Sequence, residues 1–286
     1  MMQTLLWLLE HNNALFLLLV FLISLCIGSF LNVVIYRTPQ IMYQEMLEES
    51  QDFLGLDYQK KPTMSLLTPR SCCPKCQSSI KPRDNIPVIG WLLLKGKCRN
   101  CGAPIAMQYP MVELLTAILA VMVAYQYGVS YQTLALLVLT YGLIALSFID
   151  FNHQLLPDRI VYPLLVLGLC VNSKNLLITP SMAIWGLVLG YGVLWTILYV
   201  FKLVTNKEGM GHGDLKLLAC LGAWFGVFPL VNILFIASFL GTIVGLWLKC
   251  KHGESKPFAF GAYLALGGWI TGVFFLNQPL SLPLSL

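Results

Sequence analysis

The chain has 286 residues, of which 57% are hydrophobic and 11% charged, with a net charge of +5 from 18 basic and 13 acidic side chains. A soluble domain carries about 25% charged residues, so a water-facing surface of ordinary polarity is out of reach and a lipid bilayer is the expected partner for most of the exterior. The one or two soluble domains that the length alone allows are thereby excluded, and the positive balance stops being a nucleic-acid signal and becomes a question of which loops hold it.

The chain opens with a largely apolar run over 14–36, too long for the h-region of a signal peptide, which runs about 7–15 residues, and without a basic segment before it. It is long enough to span about 30 Å of hydrocarbon, and residues 1–36 are expected to be an uncleaved first transmembrane helix. Residues 37–109 differ in kind. They hold just over half of the charged residues, seven of 15 prolines and five of nine cysteines, the composition of one small cytoplasmic domain. Residues 110–286 return to apolar segments, with spans predicted over 110–127, 131–150, 159–173, 179–202, 214–228, 230–249 and 258–276. Leu217 to Leu248 is uncharged for 32 residues, more than one crossing needs, so a break is placed near Gly226 and Pro229.

With the N-terminus outside, 17 of the 18 Lys and Arg residues fall on the inner side and only Lys174 outside, a strong positive-inside bias. The even number of spans puts the C-terminus outside too. The fold class is therefore an all-α polytopic membrane protein of about eight transmembrane helices, with the 37–109 domain inserted between helices one and two.

That domain carries Cys73-Pro-Lys-Cys76 and Cys98-Arg-Asn-Cys101, two C-x2-C pairs with 21 residues between them. Each pair closes a tight turn that aims two thiolates at one point, and two turns make a four-thiolate tetrahedron, the geometry of structural zinc. Disulfides are the alternative, disfavoured on a reducing cytoplasmic side, and unused thiols are the other. Cys72 is a spare that could replace Cys73. Cys26, Cys170, Cys220 and Cys250 are expected to be packing residues. A closed four-thiolate shell scaffolds and has no open position for catalysis.

Acids in or beside spans are expensive and point to function. Four occur: Glu113, Asp150, Asp158 and Asp214. Asp150 ends the third span and Asp214 begins the sixth, so the topology puts both at the inner membrane face. Two carboxylates that meet share a proton and supply a base and an acid together. The bland reading is an N-cap. It suits Asp158, for which a supporting role is the other expectation, it is open for Asp214, and it has no purchase on Asp150. Glu113 is expected to pair with a basic residue or to line a substrate path. Glycines at 209, 211 and 213 would let a substrate backbone approach. His153 and His212, joined with the two aspartates, offer an alternative metal site. A third reading is a proton- or cation-coupled transporter, although transporter acids usually lie at the midplane. Neither H-E-x-x-H nor G-x-S-x-G is present.

In their order along the chain these motifs resemble the type IV prepilin peptidases, leader peptidase/N-methyltransferases of bacterial inner membranes. The resemblance runs from Gly28-Ser-Phe-Leu-Asn-Val-Val-Ile-Tyr-Arg37 through the paired C-x2-C motifs, Asp84-Asn-Ile-Pro87 and Tyr109-Pro-Met-Val-Glu113. It continues in the Asp150 to Asp158 segment and Gly211-His-Gly-Asp214. It implies that Asp150 and Asp214 cleave the leaders of prepilins and related pseudopilins after a glycine. It further implies N-methylation of the new terminus from S-adenosylmethionine, with the loop containing Asp84 and Gly96 as the first place to look for that site. Both termini would be periplasmic and the cysteine domain cytoplasmic.

Overall fold

The computed structural model describes residues 9–55, 64–206, 211–252 and 259–276. Lys207, Gly209, Lys256 and Pro279 lie outside the described residues. Nearly all regular structure is helical: α1 Asn13–Phe53, the short α2 Ile89–Leu93, α3 Gln108–Tyr127, α4 Tyr131–His153, α5 Asp158–Ser173, α6 Pro180–Thr205, α7 His212–Phe225, α8 Val227–His252 and α9 Phe260–Ile270. A π turn, Thr271–Phe275, extends α9. Each predicted span overlaps a helix, but the one predicted over 214–228 runs past the end of α7 at Phe225, and α5, α7 and α9 have only 16, 14 and 11 residues. Helices α1, α3, α4, α6 and α8 are long and apolar enough to cross a membrane. Their outward faces carry large apolar side chains such as Ile23, Trp185, Ile197 and Phe235, all more than half exposed, a surface that requires lipid.

The chain forms two compact units, Leu18–Val121 and Met122–Leu286 with Met1–Leu17. In the first, α1 does not stop at residue 36 as the span pattern suggested. It continues through Pro39 to Phe53, about 60 Å in all at 1.5 Å per residue. The continuation is rich in Gln, Glu and Met, good helix formers. Arg37 is what the hydropathy pattern read as an end. Its buried guanidinium instead reaches sideways and donates to the carbonyls of Ser65 at 2.8 Å, Leu66 at 3.3 Å and Pro69 at 2.6 Å.

The second unit is organised around α7, eleven of whose 14 residues are buried. Helix α6 crosses it closely because Gly186 and Gly190, one turn apart, face the backbone at Gly222 and Leu218, the small-residue seam of membrane helices. The C-terminal carbonyls of α7 have no water to turn to, so side chains serve them. Asn172 donates to Ala223 O at 2.8 Å and Trp224 O at 3.0 Å. The break between α7 and α8 is at Gly226, whose φ of 82° needs a glycine. Pro229 falls in the first turn of α8, where it costs no helical hydrogen bond. Helix α4 is closed at its start by the Ser130 hydroxyl and at its end by Gln154, whose N–H donates to Asp150 O at 2.8 Å.

A Cβ on Gly222 would overlap the Gly186 carbonyl, whereas one on Gly192 would meet no atom within 4 Å. Gly222→Ala is expected to destabilise by about 1–3 kcal/mol, the cost of overpacking, and Gly192→Ala to be neutral. Thermal unfolding of both variants in detergent checks this pair.

Candidate active site

Asp150 stands in the last turn of α4 and Asp214 in the first turn of α7, and both are buried, at 5% and 8% exposure. The start of α9 brings them together. A Cβ built on Gly261 would lie 2.9 Å from Asp150 Oδ2 and 3.0 Å from Asp214 Oδ1. The space that any side chain at 261 would fill is thus the space between the two carboxylates. Asp150 Oδ2 accepts the Ala262 N–H at 2.9 Å, so a helix N-terminus faces one of the acids. Leu156, from the turn between α4 and α5, packs against both Gly213 and Gly261 and closes the side of the pocket. Gly261, Ala262 and Leu156 are the residues sequence reasoning missed. Their only trace is a Gly-Ala pair opening the last span, which has neither charge nor periodicity to mark it.

The capping alternatives are resolved by position. The N-cap of α7 is Gly211, with no side-chain cap, so Asp214 lies inside the helix and aims at Gly261. Asp158 is not an N-cap either, since Pro157 holds that position. It pairs instead with Lys216, whose ammonium lies 2.8 Å from both carboxylate oxygens and 5.4 Å from the centre of the Tyr162 ring. This pair ties the start of α5 to α7 two residues beyond Asp214. His153 and His212 are exposed while the aspartates are buried, and the four residues do not assemble a metal site. Gly213 faces Leu156 and so packs internally where a substrate approach was expected.

Among the described residues, Glu113 has no basic partner. Its carboxylate accepts the Val88 N–H at 2.7 Å and sits where α3 packs closely on Gly28 of α1. Val88 has φ 61° and ψ −51°, a region β-branched residues avoid, and the Glu113 carboxylate holds that amide in place.

Among the described residues, Cys73, Cys76, Cys98 and Cys101 are the one group of three or more ligating side chains gathered for a metal, their Sγ atoms all within 4.8 Å of one another. Two equivalent turns achieve this. Cys73 N–H donates to Ser78 O and Cys98 N–H to Ala103 O, while Gln77 and Gly102 close the turns on the first cysteine carbonyls with φ of 58° and 69°. Cys73 and Cys101 Sγ are 3.8 Å apart, close to the edge of about 3.8 Å expected of a tetrahedron with 2.3 Å zinc–sulfur bonds. The Ser78 hydroxyl and amide bring the Cys76 thiol down to about 6, and the Cys101 and Asn100 amides lower Cys98, which favours two of the thiolates a metal needs; against the lowering effect of the Ala103 amide, desolvation and the neighbouring thiols raise Cys101 to about 11. Cys72 stays outside the cluster, against Gln77. Of the four scattered cysteines only Cys220 is buried. Cys26, Cys170 and Cys250 are exposed and do not pack as expected. The arginine within the second turn, Arg99, makes a two-pronged pair with Asp84 at 2.8 and 2.6 Å and holds that carboxyl below its usual range.

Residues 22–127 match the bacterial peptidase A24 N-terminal domain, and residues 137–246 match the type IV leader peptidase family. Similar relatives bear the name prepilin leader peptidase/N-methyltransferase. One from Aeromonas hydrophila is 48% identical, with 88% of each chain covered. One from Pseudomonas aeruginosa is 47% identical over 89% of each, and one from Neisseria gonorrhoeae is 43% identical over 87% of each. No solved structure matches the chain.

The cluster geometry predicts one tightly held divalent ion per chain. Cys76→Ser and Cys101→Ser should each release it and Cys72→Ser should not, as read by metal analysis of the purified protein.

Proposed function

The chain belongs to the type IV leader peptidase family, and from that premise we propose that Asp150 and Asp214 together hydrolyse the leader peptide bond. The protein is an aspartic prepilin leader peptidase with N-methyltransferase activity, the pair of activities its relatives are named for. The observation that carries the aspartate assignment is the convergence of both carboxylates on Gly261. A water held between them gives its proton to the ionised member and attacks the scissile carbonyl carbon. The protonated member gives its proton to the leaving amine as the carbon–nitrogen bond breaks. Burial excludes bulk water from this exchange, and the amides at the start of α9 fix Asp150 in place. The substrates are prepilins and, by the same reading, pseudopilins, cut after a glycine.

We place the protein in the bacterial inner membrane with both termini periplasmic and the cysteine domain cytoplasmic, on the distribution of Lys and Arg. In this reading residues 1–36 carry the first crossing, 37–109 the cysteine domain and 110–286 the peptidase core. The cysteine cluster holds zinc through Cys73, Cys76, Cys98 and Cys101, which would brace the domain without entering the chemistry. The methyl donor is S-adenosylmethionine. Asp84 and Gly96, the first residues considered for that donor, have structural work: Asp84 pairs with Arg99, and Gly96 turns at φ 67° against the Trp91 ring.

Asp150→Asn and Asp214→Asn are each expected to lower the cleavage rate about 100- to 10,000-fold, the usual loss when acid–base chemistry is removed, with insertion intact. The double variant should be little worse than either single, because the pair acts as one unit. Gly261→Ala, which places a methyl group between the acids, should fall with them. Asp158→Asn should lose less, and His153→Ala and His212→Ala should remain active. Initial rates on one prepilin in detergent measure all of these, and wild-type-like cleavage by either single aspartate variant would end the assignment.

A further inference from the structure

The segment between the two cysteine turns points its apolar side chains outward. Helix α2 buries Gly90 and half-buries Trp91, whose indole N–H donates to Ile105 O at 3.2 Å. Ile89, Leu92 and Leu93 are 53%, 59% and 71% exposed, and Ile86, three residues ahead, is 45% exposed. Within α2 the 89, 92, 93 spacing puts three of them on one side of the helix, and Ile86 is exposed in the extended segment just before it. On a water-borne domain this face would be a liability.

The position of α2 along α3 is set by a hydrogen bond. The residue that precedes it, Val88, donates its N–H to Glu113, five positions into α3 and so about 7.5 Å along a helix able to cross a membrane. That holds α2 beside the first two turns of α3. The exposed apolar side chains of Met107, Met111 and Leu114, at and beyond the entry into α3, continue an exposed apolar surface along the same stretch. Glu113 is buried against the Val88 amide, and the exposed charge that flanks the patch in sequence has one sign. Lys81, Arg83, Lys95 and Lys97 are exposed, and the sole acid between residues 80 and 99, Asp84, is taken by Arg99.

We propose that α2 is an interfacial anchor: Ile86, Ile89, Leu92 and Leu93 enter the boundary between headgroups and acyl chains, and the surrounding Lys and Arg residues meet anionic headgroups. This is the chemistry of a basic, surface-lying membrane element. The occupant is the anionic bilayer surface, and the anchor fixes the height of the cysteine turns above it.

The test uses the full chain in lipid nanodiscs, with a fluorescent amino acid in place of Leu93, or of Ile89 should the first replacement release the bound metal. A control carries the same fluorophore in place of Lys75, an exposed residue of the first cysteine turn. A lipid-borne nitroxide should quench the label at 93 or 89 several-fold more than aqueous iodide does, and the order should reverse at 75. Lys81→Gln with Lys95→Gln, or discs of purely zwitterionic lipid, should weaken the nitroxide quenching. Equal quenching at 93, 89 and 75 overturns the anchor, and quenching indifferent to lipid charge overturns the headgroup contact. Protection from iodide that appears only once a prepilin is added assigns the face to a protein partner instead and overturns the proposal.

Discussion

Two carboxylates buried beside one glycine set the terms for residues 122–286. Burying an ionisable group is costly, and burying two side by side adds repulsion. The fold accepts this arrangement by bringing three helix ends to one point. Asp150 comes from the C-terminal turn of α4, Asp214 from the N-terminal turn of α7, and Gly261 with Ala262 opens α9. The α9 amide at Ala262 supplies the hydrogen bond that Asp150 needs, and the absent side chain at 261 leaves the gap. Helix α7 can deliver Asp214 to an interior point because glycines let α6 lie against its backbone and because Asn172 serves its far carbonyls. The Lys216–Asp158 pair then pins the turn that carries Leu156. A small change at any of these contacts moves a carboxylate, because the described part of the site is built from backbone and buried packing.

The unit 18–121 is organised by polar ties of another kind. Arg99, inside the second cysteine turn, holds Asp84. The backbone of Asp84 packs on Gly90, and the turn ends at Val88, whose amide is held by Glu113 in α3. Arg37 collects three carbonyls from the segment just before the first cysteine turn. These ties connect the sulfur cluster to the two long helices of the unit through four side chains, and among the described residues 64–107 only Cys73, Gly90 and Gly96 are buried. A small domain of this sort draws its order from metal and hydrogen bonds.

The helices were legible because an apolar run of spanning length has few alternatives in lipid, and the break at Gly226 was legible because only a glycine turns that way. The pairing of the cysteines followed from spacing alone. The two aspartates stood out by cost, since acids at membrane-helix ends are rare. What could not be read was anything that depends on a missing atom or a tertiary partner. Gly261 matters for the Cβ it lacks, and Leu156 is one leucine among many. Glu113 was expected to find a basic partner or line a substrate path, but its carboxylate accepts the Val88 backbone amide, which has no sequence signature. The end of α1 was misjudged because Arg37 reads as a boundary charge while its guanidinium folds back under the domain. Asp158 looked like a cap because it follows a proline, and the structure gives that position to the proline itself.

The central claim is that the peptide bond is cut at the point where Asp150, Asp214 and Gly261 meet. The most direct measurement is an experimental structure of the enzyme bound to an uncleavable prepilin analogue with a tetrahedral hydroxyl at the scissile position. The account predicts that this hydroxyl lies within hydrogen-bond distance of both Asp150 and Asp214, beside the backbone of Gly261. A hydroxyl bound elsewhere, or one held by a metal ion on His153 and His212, would contradict it.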